Sequence, residues 1–336
     1  MPTTIAILGD GAWGTAVAVL LARNPEHRVR LWSARPENAE ALRTRRENVR
    51  YLPGVPIPPE VELTTDPAAA VRDADLWVTS IPTVHLRPTL ERFRSLAQTS
   101  TPIVSLTKGI EISTFRRPSE IIAEALGTDR VVALSGPSHA EEVSRGMPTS
   151  VVVAGSDGEL TSRAQQCFST DRFRVYTNPD LVGVELAGAL KNVIGIAAGI
   201  CDGLGFGDNA KSALLTRGLV EMTRFGMALG AEHDTFQGLA GVGDLITTCF
   251  SPHGRNRRVG ERLGKGEKLP EIIASMSAIA EGVTTARSVH ERTRPLGLDM
   301  PITTVVYRIL YEGVSPAEGV DELMSRRLRS ERVGGR

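Results

Sequence analysis

The 336-residue chain carries no excess of either charge, since Lys plus Arg and Asp plus Glu each total 39. Neither nucleic acid nor an acidic membrane surface gains a general attraction to it. Cysteine is scarce. Cys167, Cys201 and Cys249 lie far apart with no C-x-x-C pair, which supports neither a disulfide framework nor a zinc site and suits a reducing compartment. No run of about 18 consecutive apolar residues occurs, so no membrane insertion is expected. The first apolar stretch, Thr3 to Leu8, follows no basic segment of the kind that opens a secretory signal, and the expected location is cytoplasmic. There is no internal repeat and no low-complexity segment.

What the chain does contain is the mixture of a globular protein, 41% hydrophobic and 23% charged, at a length suited to two domains. Up to residue 178, short β-rich runs alternate with helical patterns, the form of a parallel sheet flanked by helices. The predicted strands are Thr4–Leu8, Val29–Trp32, Leu76–Ser80, Ile103–Thr107, Val131–Leu134, Ser150–Ala154 and Phe173–Tyr176. Helices are predicted over Gly14–Arg23, Pro36–Arg46 and Pro118–Leu126. At Asn178-Pro179-Asp180 the pattern changes: an N-cap, a first-turn proline and an acidic residue open a long helix to about Ile200, apolar or small on nearly every side. A glycine-rich loop, Gly203 to Gly207, leads into a helix from Asp208 to near Gly230. Further helices are expected from Arg255, Pro270, Thr284, Pro301 and Pro316. The division is thus 1–178, an α/β Rossmann-type doubly wound domain; 179–330, an all-α domain; and 331–336, a frayed tail.

Gly9-Asp10-Gly11-Ala12-Trp13-Gly14 is G-x-G-x-x-G directly after an apolar strand and before a helix. Its glycines permit a tight turn, close approach of a pyrophosphate and packing of helix on sheet, while the helix N-terminus donates N–H groups to phosphate. An NAD-specific site usually carries Asp or Glu at the end of the second strand. Here stands Trp32-Ser33-Ala34-Arg35, with no carboxylate on that segment before Glu37. Arg35 could meet the 2′-phosphate of NADP or could be a solvated surface arginine. The expectation leans toward NADP(H) without excluding NAD(H).

Ligands of such a sheet lie beyond the carboxyl ends of its strands. Lys108-Gly109 follows one strand and Ser135-Gly136-Pro137-Ser138 follows another, so a cation, hydroxyls and backbone donors share one rim, although Lys108 could also be a surface lysine. Lys191 falls within the buried helix, in Gly188-Ala189-Leu190-Lys191-Asn192-Val193-Ile194-Gly195. Burial favours the neutral amine, which can take a proton, so Lys191 is the candidate general base, the other reading being a lysine that snorkels to solvent. Gly188 and Gly195, one turn to either side, would let a cofactor or substrate approach. Asp244, set in Gly241-Val242-Gly243-Asp244-Leu245, is either a buried counter-ion of Lys191 or a cap aspartate. Gly254-Arg255-Asn256-Arg257-Arg258 opens a helix with cations and an amide, a phosphate site or an exposed basic turn.

Taken in order on this framework, Gly11-Ala12-Trp13-Gly14-Thr15-Ala16, Thr107-Lys108-Gly109, Ser135-Gly136-Pro137-Ser138, Gly188–Asn192, Gly241–Leu245 and Arg255-Asn256 resemble the bacterial NAD(P)-dependent glycerol-3-phosphate dehydrogenases. The resemblance runs from Ile5 to about Tyr311. It implies an enzyme that interconverts sn-glycerol 3-phosphate and dihydroxyacetone phosphate for glycerophospholipid synthesis, with no metal and with a helical domain like the C-terminal region of 6-phosphogluconate dehydrogenase. It implies that Lys191 accepts the proton of the C2 hydroxyl and that Lys108, Gly136, Ser138, Asp244, Arg255 and Asn256 hold the substrate. Gly254 stands where relatives often have serine, and its backbone N–H could serve in place of the hydroxyl. On the cofactor side the resemblance carries over Ala12, Trp13, Arg35, Lys108, Ala140, Arg255, Ile279 and Glu281, with Ala34 where many relatives have arginine. His139 is read as packing. Two alternatives share the plan: a 3-hydroxy acid or ketopantoate-type reductase, and a non-catalytic NAD(P) sensor. The oligomeric state is left open, a homodimer included.

Overall fold

In the computed structural model, which describes residues 2–276, 278–328, 330 and 331, ten strands are present. They are β1 (Thr3–Leu8), β2 (His27–Trp32), β3 (Glu47–Asn48), β4 (Leu52–Pro56), β5 (Glu62–Thr64), β6 (Leu76–Thr79), β7 (Ile103–Ser105), β8 (Val131–Ser135), β9 (Thr149–Ala154) and β10 (Phe173–Asn178). Eight form one sheet in the order β10-β9-β8-β7-β6-β1-β2-β5, and β3 and β4 make a separate antiparallel pair. The order runs outward in both directions from β1 and β6, as in a doubly wound sheet, and leaves a crevice above their carboxyl ends. Side chains alternate across it. Ile5 and Ile7 join one buried cluster with Val78 and Val104, while Ala6 and Leu8 join another with Trp32, Trp77 and Phe93 on the opposite face.

Three sequence expectations need correction here. The sheet is not wholly parallel, because β8 and β9 pair antiparallel. Between them lies only the short helix Ala140–Ser144, and the chain turns back at the same end of the sheet instead of crossing over. β5 extends the sheet beyond β2 with a segment too short and too polar, Glu62-Leu63-Thr64, to stand out as a strand. Asp180, not Asn178, caps the long helix: its Oδ1 accepts the Gly183 amide at 2.7 Å, while its Oδ2 accepts the Glu232 amide and the Thr235 hydroxyl. The added cross-links favour Asp180, and the helix runs Leu181–Gly203.

After β10 all the described elements are helical. By length and composition Leu181–Gly203 could cross a membrane, but 89% of its apolar window is buried inside the protein, and every residue from Gly183 to Cys201 is buried. It is the axis of the helical half. Arg255–Gly264 lies so close against it that a Cβ on Gly199 would meet the Arg257 carbonyl oxygen at 1.9 Å and one on Gly260 the Ile196 oxygen at 1.9 Å. His233–Gln237, a π-helical turn at Leu239–Gly243 and the helix Asp244–Phe250 lie in a stretch that reads from sequence only as a glycine-rich segment. Arg329 and residues 332–336, most of the expected frayed end, lie outside the described residues, as does Ser277.

Candidate active site

β7 stops at Ser105, two residues earlier than expected, and the chain that continues from it carries Lys108 across to the helical half. There Lys108 Nζ lies 2.6 Å from Asp244 Oδ2 and donates to the Gly136 carbonyl at 3.0 Å. Gly136 adopts φ +129°, a conformation glycine alone takes easily, and a Cβ there would stand 3.1 Å from the Val151 Cα. The turn after β8 thus aims that carbonyl at the lysine. The Ser138 hydroxyl donates to the same oxygen at 2.9 Å.

Lys191 reaches Asp244 from the other side. Its Nζ is 3.1 Å from Asp244 Oδ1 and 2.6 Å from the Thr248 hydroxyl oxygen. Lys191 and Asp244 are buried and Lys108 is half-buried, so two lysines share one carboxylate at the edge of the interior. Burial pushes the Lys191 ammonium below its ordinary range, with Asp244 opposing that and Lys108 reinforcing it. Burial alone would raise Asp244, but Lys108 and then Lys191 hold it below the usual carboxylate range. The cap reading of Asp244 fails: Gly243 occupies the cap position, and the carboxylate turns to the lysines. The snorkelling reading of Lys191 fails for the same reason.

The glycines beside Lys191 do something other than admit a ligand. A Cβ on Gly188 would meet the Ser135 hydroxyl at 2.9 Å, and one on Gly195 the Thr248 methyl at 2.7 Å. They let the β8 turn and the helix Asp244–Phe250 close onto Lys191. Thr248, which the sequence reading missed, lies one helical turn after Asp244 on the same face, a spacing that could have revealed it. Asn192 was also left without a role. Its Nδ2 donates to Gly188 O at 3.2 Å and Lys108 O at 3.4 Å, and its Oδ1 accepts from Asn256 Nδ2 at 2.8 Å. Asn256 in turn accepts the Gly282 amide at 2.9 Å, so most of its side chain is engaged in joining helices.

Glu281, at the start of the helix Glu281–Leu296, accepts the Thr83 amide at 2.9 Å and its hydroxyl at 2.8 Å, closing the seam between sheet and helices. Burial pushes its carboxyl up against those bonds. Arg255 is exposed at the first turn of Arg255–Gly264, near enough for its charge to act on Glu281. The Arg255, Asn256 and Arg257 amides donate to no described carbonyl. The Gly254 amide is different: it already donates to Ser251 O at 3.2 Å, so it does not replace the serine hydroxyl of relatives. A Cβ on Gly254 would stand 2.9 Å from Thr248 O.

The dinucleotide loop passes a direct test of fit. A Cβ on Gly9 would strike Ser80 O at 2.5 Å and one on Gly14 would strike Gly9 O at 1.9 Å, whereas Gly11 has nothing within 4 Å. The outer glycines serve the packing of strand, loop and helix, and Gly11 leaves open space at a helix N-terminus without a side-chain cap, where a pyrophosphate fits. Ala12 and Trp13 pack against the cluster holding Ala140. Arg35 is exposed after β2, and Ile279 lies half-buried before Glu281. His139 carries a buried Nε2 without a partner, and burial followed by the Lys191 charge pushes its imidazole down. No cluster of metal-ligating side chains occurs among the described residues.

Two family models match the chain, the NAD-dependent glycerol-3-phosphate dehydrogenase N-terminus over residues 4–161 and the C-terminus over residues 180–321. A glycerol-3-phosphate dehydrogenase [NAD(P)+] of Chlorobium limicola is 49% identical over 330 residues, 97% of this chain and 99% of that protein. One from Geobacillus thermodenitrificans is 50% identical over 330 residues, covering 97% and 96%. A crystal structure of glycerol-3-phosphate dehydrogenase from Coxiella burnetii superposes with a TM-score of 0.92 at 37% identity, covering 97% of this chain and 99% of that one.

Proposed function

Because the chain belongs to the NAD-dependent glycerol-3-phosphate dehydrogenase family, we propose that Lys191 is the proton-transferring group of its reaction and that the Arg255 helix start receives the substrate phosphate. The reaction interconverts glycerol 3-phosphate and dihydroxyacetone phosphate. The nicotinamide coenzyme, when bound, supplies the hydride acceptor or donor. Residues 1–178 form the coenzyme-binding unit in this reading, and residues 179–330 the substrate-binding unit.

The observation that carries the assignment is the triad itself. Asp244 sits between Lys108 at 2.6 Å and Lys191 at 3.1 Å in a buried setting. In the oxidative direction neutral Lys191 accepts the proton of the C2 hydroxyl, and in reduction its ammonium returns that proton to the C2 oxygen. Lys108 shares Asp244 and so keeps the carboxylate charged while Lys191 changes state. Thr248 fixes the Lys191 amine through its hydroxyl oxygen. Gly136 and Ser138 shape the rim next to Lys108, while Asn256 orients the helix from which Arg255 projects. A sensor of NAD(P) needs no such proton-transfer group, and a ketopantoate-type substrate has no phosphate monoester for Arg255 and its free helix amides. The protein is proposed to act in the cytoplasm, without nucleic-acid or membrane partners, as a monomer or a homodimer.

The test is Arg255→Ala. Loss of a charge-assisted contact to phosphate should raise KM for dihydroxyacetone phosphate by about ten- to a hundredfold and leave the slow reduction of unphosphorylated dihydroxyacetone unchanged. Equal use of the two ketones by the parent enzyme would refute a phosphate site.

A further inference from the structure

A dinucleotide site that selects NAD(H) needs a carboxylate at the carboxyl end of β2, where it accepts hydrogen bonds from the adenosine ribose and repels a 2′-phosphate. β2 itself ends in Trp32-Ser33-Ala34-Arg35 and supplies none. In the fold, a carboxylate arrives there from another strand. Asp10, between the first two glycines of the loop after β1, turns its side chain to the end of β2, and its Oδ2 accepts from the Ser33 hydroxyl at 2.6 Å and from Asn38 Nδ2. Ser33 is only 1% exposed, so the first of these donors is fixed. The loop is held from behind by Asn48, whose Nδ2 donates to the Asp10 carbonyl at 2.8 Å and to the Thr15 hydroxyl at 2.7 Å.

We propose that Asp10 is the ribose-selecting carboxylate of this chain and that it makes the site favour NAD(H) over NADP(H). The proposal rests on the reading of Gly9–Gly14 as the pyrophosphate cradle. Among the described residues no cation pairs with Asp10, and its Oδ1 accepts no hydrogen bond, so a carboxylate with a free acceptor stands at the end of β2 next to open Gly11. A ribose with free hydroxyls can donate to that oxygen. A 2′-phosphate can only bring further negative charge against it. Arg35, the cation on which the opposite expectation rests, is exposed at the cap position of the helix Pro36–Arg45 and makes no ion pair among the described residues. A solvated arginine attracts phosphate through screened water, whereas Asp10 is fixed by two donors, so the carboxylate outweighs it.

Calorimetric titration of the apoprotein with ADP-ribose and with 2′-phospho-ADP-ribose tests this without turnover. The parent should bind ADP-ribose at least about tenfold more tightly, equivalent to ~1.4 kcal/mol. Asp10→Asn keeps an oxygen for Ser33 and removes only the charge, so it should tighten 2′-phospho-ADP-ribose about tenfold while weakening ADP-ribose slightly. Asp10→Ala should move the ratio the same way, which guards against a folding artefact of the first variant. The parent's preference should shrink as salt rises and that of Asp10→Asn should not, a response that a purely structural Asp10 would not produce. Gly11→Val, whose Cβ meets nothing within 4 Å in the free protein, should abolish both ligands while leaving the melting temperature near the parent's; if both still bind, the cradle is misplaced and the proposal falls with it. If Gly11→Val does abolish them, equal binding by the parent, a preference for the 2′-phosphate, or an unchanged ratio in both Asp10 variants overturns the role of Asp10 alone.

Discussion

Replacing Lys191 by methionine separates chemistry from packing because of how the triad's charge adds up. With both ammonium groups protonated, the half-buried Lys108 and the buried Lys191 and Asp244 carry a net single positive charge. Lys191→Met leaves Lys108 and Asp244 as a neutral pair at 2.6 Å, so no charge is stranded, the usual cause of severe loss when one member of a buried pair is removed. Methionine matches most of the lysine stem, and the Thr248 hydroxyl loses one donor, a cost of about 0.5–1.5 kcal/mol. Thermal melting should therefore change by only a few degrees, and coenzyme titration should be unchanged.

Turnover should not survive so well. Loss of a positioned proton-transfer group lowers rates by about a hundredfold to ten-thousandfold, or roughly 3–5 kcal/mol of barrier. The pH dependence gives a second readout. Burial depresses the Lys191 ammonium below its ordinary value, so in glycerol 3-phosphate oxidation the active neutral amine accumulates as pH rises toward that lowered value, and the parent rate climbs with it. Residual activity of Lys191→Met should lack this limb. The assay is turnover under saturating substrate and coenzyme across pH, with pre-steady-state mixing to confirm that proton and hydride transfer, not release, are being timed. Near-normal turnover in a folded Lys191→Met protein would refute the reasoning and leave Lys108 as the alternative group.

Asp244→Asn is the converse experiment: it leaves two ammonium groups facing a neutral amide, should cost roughly 3–5 kcal/mol, and should lower the melting temperature far more than Lys191→Met does. Equal melting of the two variants would show that the triad is not a charge-coupled unit. Glu221 predicts a pH effect on stability remote from the site. Its carboxylate accepts the Ile302 and Thr303 amides and the Thr303 hydroxyl, and burial raises it from 4.5 to about 7. A folded-state value above the unfolded one favours the protonated form, so its stabilising contribution is complete below about pH 4.5 and lost as pH rises through about 7, to the extent of roughly 3 kcal/mol. Glu221→Gln sets an amide donor against one of those N–H groups and so starts below the parent at acidic pH, but it does not titrate, so the gap should narrow from pH 5 to pH 8 in denaturant melts, and a difference that stays constant with pH would refute the assignment.

The parts of the molecule legible in the sequence are those in which one short segment states its own purpose. A glycine loop between strand and helix, a lysine in an otherwise apolar helix and a basic helix start each carry a local rule, and each stands at the rim or core position that rule implies. The parts that were not legible depend on partners distant in sequence. Asp244 gains its two lysines from positions 136 and 53 residues away, and no local pattern distinguishes it from a cap. Thr83 meets Glu281 across 198 residues. Gly188 and Gly195 read locally as room for a ligand, yet the fold fills that room with Ser135 and Thr248. The antiparallel β9 was missed because strand composition records burial and not direction.

The same distance explains why the functional charges lie at the seam. Lys108 is anchored to the sheet through the chain after β7, Lys191 to the central helix and Asp244 to the helix that follows the π-helical turn, so no single element could compensate this triad by itself. Its net positive charge is opposed in the free protein by the desolvation of the buried Lys191. In the reaction proposed above, that charge would meet an anionic phosphate ester and a developing negative charge on the C2 oxygen, and donors held in place beforehand need no reorganisation during the reaction. Asn192 and Asn256 then have a mechanical reason to be buried. They tie the Lys108 carbonyl, the central helix, the Arg255 helix and the Gly282 amide into one hydrogen-bonded chain, which fixes the spacing between Lys191 and the proposed phosphate site.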